Sequence, residues 1–113
     1  MNTVTLSVAS REEVTGRALA AFKGRGHDAH ISFATPELLW RTLTRKRWEL
    51  LQAMTGQGVM SIRQAARRVG RDVKAVHGDV VALAHAGVID RAEGGVVFPF
   101  DAVHVDFMLT TAA

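Results

Sequence analysis

Polar and apolar positions alternate at the start of the chain. In TVTLSV, Val4, Leu6 and Val8 fall on one side and Thr5 and Ser7 on the other, the pattern of a half-buried strand. Ser10 and Glu13 form a Ser-x-x-Glu capping box, which predicts a helix with Val14, Ala18, Ala21 and Phe22 along one stripe and GRG, Gly24 to Gly26, at its end. HISF suits a short second strand with Ile31 and Phe33 inward. In TPELLWRTLT, Thr35 caps, Pro36 fits a first helical turn, and Leu39, Trp40 and Leu43 supply the buried side. Thr44 offers a second cap before RKRWELLQAM, where Trp48, Leu51 and Met54 have apolar spacing; two helices and one continuous helix both fit. GQG, Gly56 to Gly58, is a break.

The segment Ser61 to Arg91 is the most informative. Ser61 caps a helix in which Ile62, Ala65, Ala66 and Val69 recur at i, i+3, i+4 and i+7. Gly70 supplies a left-handed residue to end it, and Asp72 caps the next helix. Val73, Val76, Val80, Leu83 and Ala84 line the inner face of that second helix, and Gly87 stops it. VIDR, AEGG and VVFPF then read as strand, turn and returning strand. VHVDFML alternates, with Val103, Val105, Phe107 and Leu109 on one face of a last strand that pairs with the first, within one chain or across two.

Helix, three-residue turn beginning with glycine, helix and hairpin is the order of a winged helix-turn-helix. The expected architecture is therefore α+β: a winged helix-turn-helix over residues 35–113, carrying a C-terminal strand, with residues 1–34 as a strand-helix-strand extension suited to dimerisation or partner binding. Two short helices crossing steeply bury little surface alone, so RKRWELLQAM and a small sheet are needed to close the core.

Composition narrows the partners. The 113 residues are 48% hydrophobic and 22% charged, which suits a globular domain, and there is no cysteine, so thiolate chemistry is excluded. No run of about 18 apolar residues could span a membrane. The N-terminus lacks a signal-peptide layout, so a cytoplasmic protein is expected. Charge is uneven. Residues 41–91 carry ten basic and four acidic side chains, a net of +6, whereas the remainder carries four basic and seven acidic, a net of −3. A basic stripe of this kind is the footprint of a phosphate-binding surface; a solvated helical surface is the alternative.

Placing the second helix of the motif at about 100° per residue puts Lys74, Ala75, Gly78, Ala82 and His85 opposite the apolar arc. Gly78 costs about 1 kcal/mol relative to alanine there. It is explained by close approach of a flat partner between Lys74 and His77, or by relief of crowding within the chain. Arg63, Arg67 and Arg68 on the preceding helix and Arg71 in the turn suit phosphate contacts, and Lys74 suits a base edge, guanine in particular. Arg91 makes the hairpin basic, but Glu93 at its tip opposes phosphate, so a purely structural hairpin is the alternative. The DNA-binding set is thus Arg63, Arg67, Arg68, Arg71, Lys74, Ala75, His77, Gly78 and Arg91.

Other chemistry is weakly signalled. His27, Asp28 and His30 form one fragment of a metal site, and His104 with Asp106 another; neither has a placed third ligand. No nucleophile–histidine–acid set stands out, the glycines at 24, 26, 94 and 95 match no phosphate cradle, and Trp40 and Trp48 read as core. Neither an enzyme nor a cofactor is expected.

LTRKRWELLQAM, SIRQAARRVGRDVKAVHGDVVALAHAGVI and VVFPFDAVHVDF together resemble small bacterial and archaeal winged helix-turn-helix regulators, loosely related to the MarR type. The resemblance covers about Leu43 to Phe107 and is most specific from Arg67 to Gly87; residues 3 to 24 fall outside it. It implies binding of double-stranded DNA through Asp72 to Ala86. Some relatives look like antitoxins, which implies a toxin partner and autoregulation of a small operon. The expected function is a sequence-specific transcriptional regulator, a repressor, binding two half-sites as a homodimer. The terminal strands are the expected dimer edges. The alternative is an antitoxin whose N-terminal part covers a toxin.

Overall fold

A computed structural model describes residues 2–8 and 29–108. The helix expected after Ser10, its terminal GRG, His27, Asp28 and Leu109 lie outside them. Among the described residues the order is β1 (Thr3–Val8), β2 (Ala29–Phe33), α1 (Pro36–Thr42), α2 (Arg45–Met54), α3 (Ile62–Val69), α4 (Val73–His85), β3 (Asp90–Ala92), β4 (Gly95–Val97) and β5 (Ala102–Asp106). The protein is an α+β domain whose described strands form one three-stranded and one two-stranded sheet.

β1 is the middle strand of the larger sheet, in the order β2-β1-β5, and pairs parallel to both neighbours. Val4 opposes Ala29 and Val103; Ser7 opposes Ser32 and Asp106. The first strand is thus not an edge, and the terminal strands pair within one chain. Nor is it half-buried, as its alternation suggested: Thr5 and Ser7 are buried along with Val4 and Leu6. Central parallel strands are usually covered on both faces, so alternation in sequence did not mean alternation in exposure. The start of β1 is pinned to the entry of β5: the Asn2 amide donates to Asp101 Oδ2 at 2.9 Å and the Asp101 amide to the Asn2 carbonyl at 2.7 Å. The first strand, in residues 1–34, thus pairs with β5, in residues 35–113.

Two separate helices follow. Thr35 Oγ1 accepts from the Leu38 amide and Thr44 Oγ1 from the Arg47 amide, and Leu43 leaves helical geometry between them. Leu39, Leu43, Leu50, Leu51 and Met54 enter the core, and full burial of each such side chain contributes about 1.5–3 kcal/mol. Trp40 and Trp48 do not: they remain 49% and 39% exposed. Leu39 and Leu50 already fill the inward positions, and each indole lies at the margin of its helix's apolar arc. Trp40 meets Phe107 edge-on, with ring centroids 6.0 Å apart.

α3 and α4 form as their end residues direct. Ser61 Oγ accepts from the Gln64 amide while Gln64 Oε1 accepts from the Ser61 amide, a complete capping box. Gly70 ends α3 at φ +68°, and Asp72 Oδ2 then accepts from the amides of Lys74 and Ala75. Ala65 and Ala66 of α3 are buried, and Val76, Val80 and Leu83 are fully buried beneath α4. Val73 belongs to the apolar pattern but is 43% exposed. It is the first residue of α4, where the helix projects past the core.

The β3–β4 hairpin pairs Asp90 with Val97 and Ala92 with Gly95. Its returning strand also bridges Met60, with reciprocal amide–carbonyl bonds of 2.9 Å between Met60 and Val96. Gly95, at φ +152°, makes this possible, because a Cβ there would collide with the Met60 carbonyl. The hairpin is thus fastened to the residue just ahead of the α3 cap. One continuous core joins Val4 and Leu6 of the sheet to Met60, Val76, Leu83, Val96 and Phe98.

Candidate nucleic-acid interface

The outer face of α4 is open. Lys74, Ala75, His77, Gly78 and His85 are all exposed. A Cβ built on Gly78 would meet nothing among the described residues within 4 Å. Crowding against another described part of the chain therefore does not account for Gly78, and one of its two explanations is removed. Ala82, expected on the same arc, is half-buried.

An open groove of about 840 Å³ runs along the N-terminal half of this face, between α4, the start of α3 and the hairpin. Ile62, Val73 and Val96 supply apolar lining, Arg63, Lys74, His77 and Arg91 supply polar and cationic lining, and the capping residue Asp72 adds a carboxylate. Four residues singled out from sequence are thus brought together from α3, α4 and β3. The hairpin joins the groove because Met60 holds β4 against the start of α3. Glu93, at the tip, is exposed but does not line the groove.

The remaining arginines differ. Arg67 and Arg68 are exposed on α3 outside the groove, and Arg68 Nη1 donates to Gln57 Oε1 at 3.1 Å. Arg71 is directed elsewhere. Its side chain is 19% exposed, and Nη2 lies 2.7 Å from Asp79 Oδ2 on α4. Arg47 of α2 approaches the same carboxylate from the other side, donating through Nε to Oδ1 at 3.0 Å. Arg47 Nη1 also donates to the carbonyls of Thr42 at 2.9 Å and Arg41 at 3.3 Å, at the C-terminal end of α1. The turn arginine expected to grip phosphate is therefore held in an internal ion pair.

Burial alone would raise the Asp79 carboxyl's pKa, but the hydrogen bonds and charges of Arg47 and Arg71 outweigh it and hold the group below its ordinary value. Neither Asp79 nor Arg47 stands out in the sequence as functional. The available signal was a single acid in a helix whose other ionisable side chains, Lys74, His77 and His85, are basic.

The two metal-site fragments do not converge among the described residues. His30 and His104 stand on opposite strands beside Thr5, and no three of His, Cys, Asp or Glu are grouped there to hold an ion. No helix among the described residues is long and apolar enough to cross a membrane.

A family model, HVO_A0114, matches residues 42–105, from the end of α1 through β5, more than half of the chain. No curated protein matches the chain, and no solved structure does.

Proposed function

The chain belongs to the HVO_A0114 family, and we propose that it is a winged helix-turn-helix protein that binds duplex DNA sequence-specifically and regulates transcription, as a repressor. In this reading α4 enters the major groove, about 12 Å wide. α3 supports it from behind, and the β3–β4 hairpin is the wing. The observation that carries the reading is the uncovered Ala75–Gly78 surface between Lys74 and His77, where nothing described in the chain occupies the space over Gly78. A helix with small residues on its outer face lets bases or sugar-phosphate approach its backbone.

The roles follow from position. Lys74, on the first turn of α4, reaches for a base edge. Arg63 and Arg91, on either side of the groove, and Arg67 and Arg68 on α3 contact phosphates and fix register. Arg71 does not join them in this proposal, because Asp79 occupies its guanidinium. Specific regulators of this size commonly bind two half-sites, so the proposal includes a homodimer. With β1 in the middle of the sheet, the dimer would have to use another surface, such as an outer strand, β2 or β5.

A second reading, an antitoxin that captures a toxin protein, is favoured by one observation. Trp40 and Met108 are exposed beside Phe107, away from the basic residues of α3 and α4 in sequence. The two readings separate by salt. Protein capture through an apolar face survives added salt, whereas DNA binding weakens steeply through counterion release. The test is a titration of the purified protein against the duplex upstream of its own reading frame at 50 and 200 mM salt, with random duplex as competitor. Specific, salt-sensitive retention supports the proposal; equal affinity for both duplexes contradicts it.

A further inference from the structure

The Arg47–Asp79–Arg71 cluster has a location that simple stabilisation does not require. Asp79 follows Gly78 directly and lies on the flank of α4 that faces α2 and the α3–α4 turn. Through it, four parts of the fold meet: the end of α1, the first turn of α2, the turn before α4, and α4 itself. All three side chains are at most 20% exposed. Two guanidinium groups share one carboxylate, so removing that carboxylate leaves like charges facing each other in a poorly hydrated place. Arg71 Nη2 lies 2.7 Å from Asp79 Oδ2, while Arg71 Nη1 has no hydrogen-bond partner among the described residues. Such a cluster is a poor source of net stability, since desolvation offsets much of the attraction. It is, however, demanding in geometry, because only a narrow range of helix rotations places Oδ1 on Arg47 and Oδ2 on Arg71 together.

We infer that Asp79 is a positioning residue for DNA recognition: by holding Arg47 and Arg71 on one flank of α4, it fixes the rotation at which the Lys74–Gly78 face is presented to the bases. The inference rests on the DNA-binding reading. Asp79 itself touches no DNA, and its effect passes through the orientation of α4.

Charge and positioning make opposite forecasts for Asp79→Asn, which is what makes the idea testable. Losing a negative charge strengthens attraction to any polyanion. Losing the positioning contact weakens only the recognition of sequence. The experiment selects a preferred duplex from a random-sequence library with the wild-type protein, then measures affinity for that duplex and for random duplex. In folded Asp79→Asn, affinity for random duplex should hold or rise while the selected-to-random ratio falls about tenfold, the cost of roughly one mismatched base pair. Asp79→Glu, which keeps the charge, should recover part of the ratio. A wild-type ratio in folded Asp79→Asn overturns the inference, as does an equal fall in both affinities. If Asp79→Asn does not fold, Arg71→Lys takes its place. It keeps the net charge but offers a shorter, single-point ammonium, and the ratio should again fall; an unchanged ratio overturns the inference. Failure of the DNA-binding reading looks different: the wild-type protein itself would enrich no duplex from the library, and the positioning role would fall with it.

Discussion

Arg71 Nη2 lies 2.7 Å from Asp79 Oδ2, so the only arginine in the turn between α3 and α4 points into the protein rather than toward a partner. The contact divides the basic residues of this segment into two groups. Arg63, Arg67, Arg68, Lys74 and Arg91 are exposed, while Arg71 joins Arg47 in holding α4.

That division predicts different salt behaviour for neighbouring arginines. Arg67→Ala should lower the slope of log affinity against log salt by about one unit, as expected for one lost phosphate contact. Arg71→Ala should leave the slope near its wild-type value while weakening specific binding. Filter-binding titrations from 50 to 200 mM salt check both, and equal slope changes for the two variants would count against the assignment.

The same ion pairs predict a pH dependence of stability. Arg47 and Arg71 hold the Asp79 carboxyl below its ordinary value, so the unfolded chain binds this proton more readily than the folded one. The contribution is therefore complete above the ordinary carboxylate range and is lost as pH falls through that range to the lower folded value. Urea unfolding of wild type and Asp79→Asn should show a stability gap at neutral pH that closes on acidification. A gap that stays constant or widens would contradict the lowered value.

Packing makes a third prediction. Leu83 is fully buried under α4, and Leu83→Ala should cost about 2–5 kcal/mol through lost burial and the cavity left behind. Gly95→Ala should cost more than about 1 kcal/mol, because the new methyl meets the Met60 carbonyl and the backbone there is at positive φ. Chemical denaturation measures both, and a neutral Gly95→Ala would mean that the Met60–Val96 bridge does not fasten the hairpin.

Much of this arrangement was legible in the sequence, in the places where local chemistry decides the outcome. Thr35, Thr44, Ser61 and Asp72 all cap as their side chains suggest, and Gly70 ends α3 in the left-handed region. The exposed outer arc of α4 also followed from periodicity, Ala82 excepted. What failed depends on partners distant in the chain. The place of β1 between β2 and β5 is set by pairings about 25 and 99 residues away, so its alternation could not reveal burial of Thr5 and Ser7. Trp40 and Trp48 have apolar spacing, but periodicity does not say which residue of a wide arc the core has room for. The ion pairs of Arg71 and Arg47 with Asp79 were not legible either, because these side chains come together only in three dimensions. Gly95 signalled a turn but not its close approach to Met60.

The bare patch at Gly78 offers the most direct test of the whole account, because stability and function should move in opposite directions there. With nothing among the described residues within 4 Å of a built Cβ, a side chain can leave the helix at this position without colliding. Replacing glycine inside a helix should gain up to about 1 kcal/mol. The decisive measurement is the affinity of Gly78→Leu for the duplex selected by the wild-type protein, with thermal unfolding recorded on the same sample. The expected result is a melting temperature equal to or above that of wild type, together with loss of specific binding. Wild-type affinity in a fully folded Gly78→Leu would contradict it.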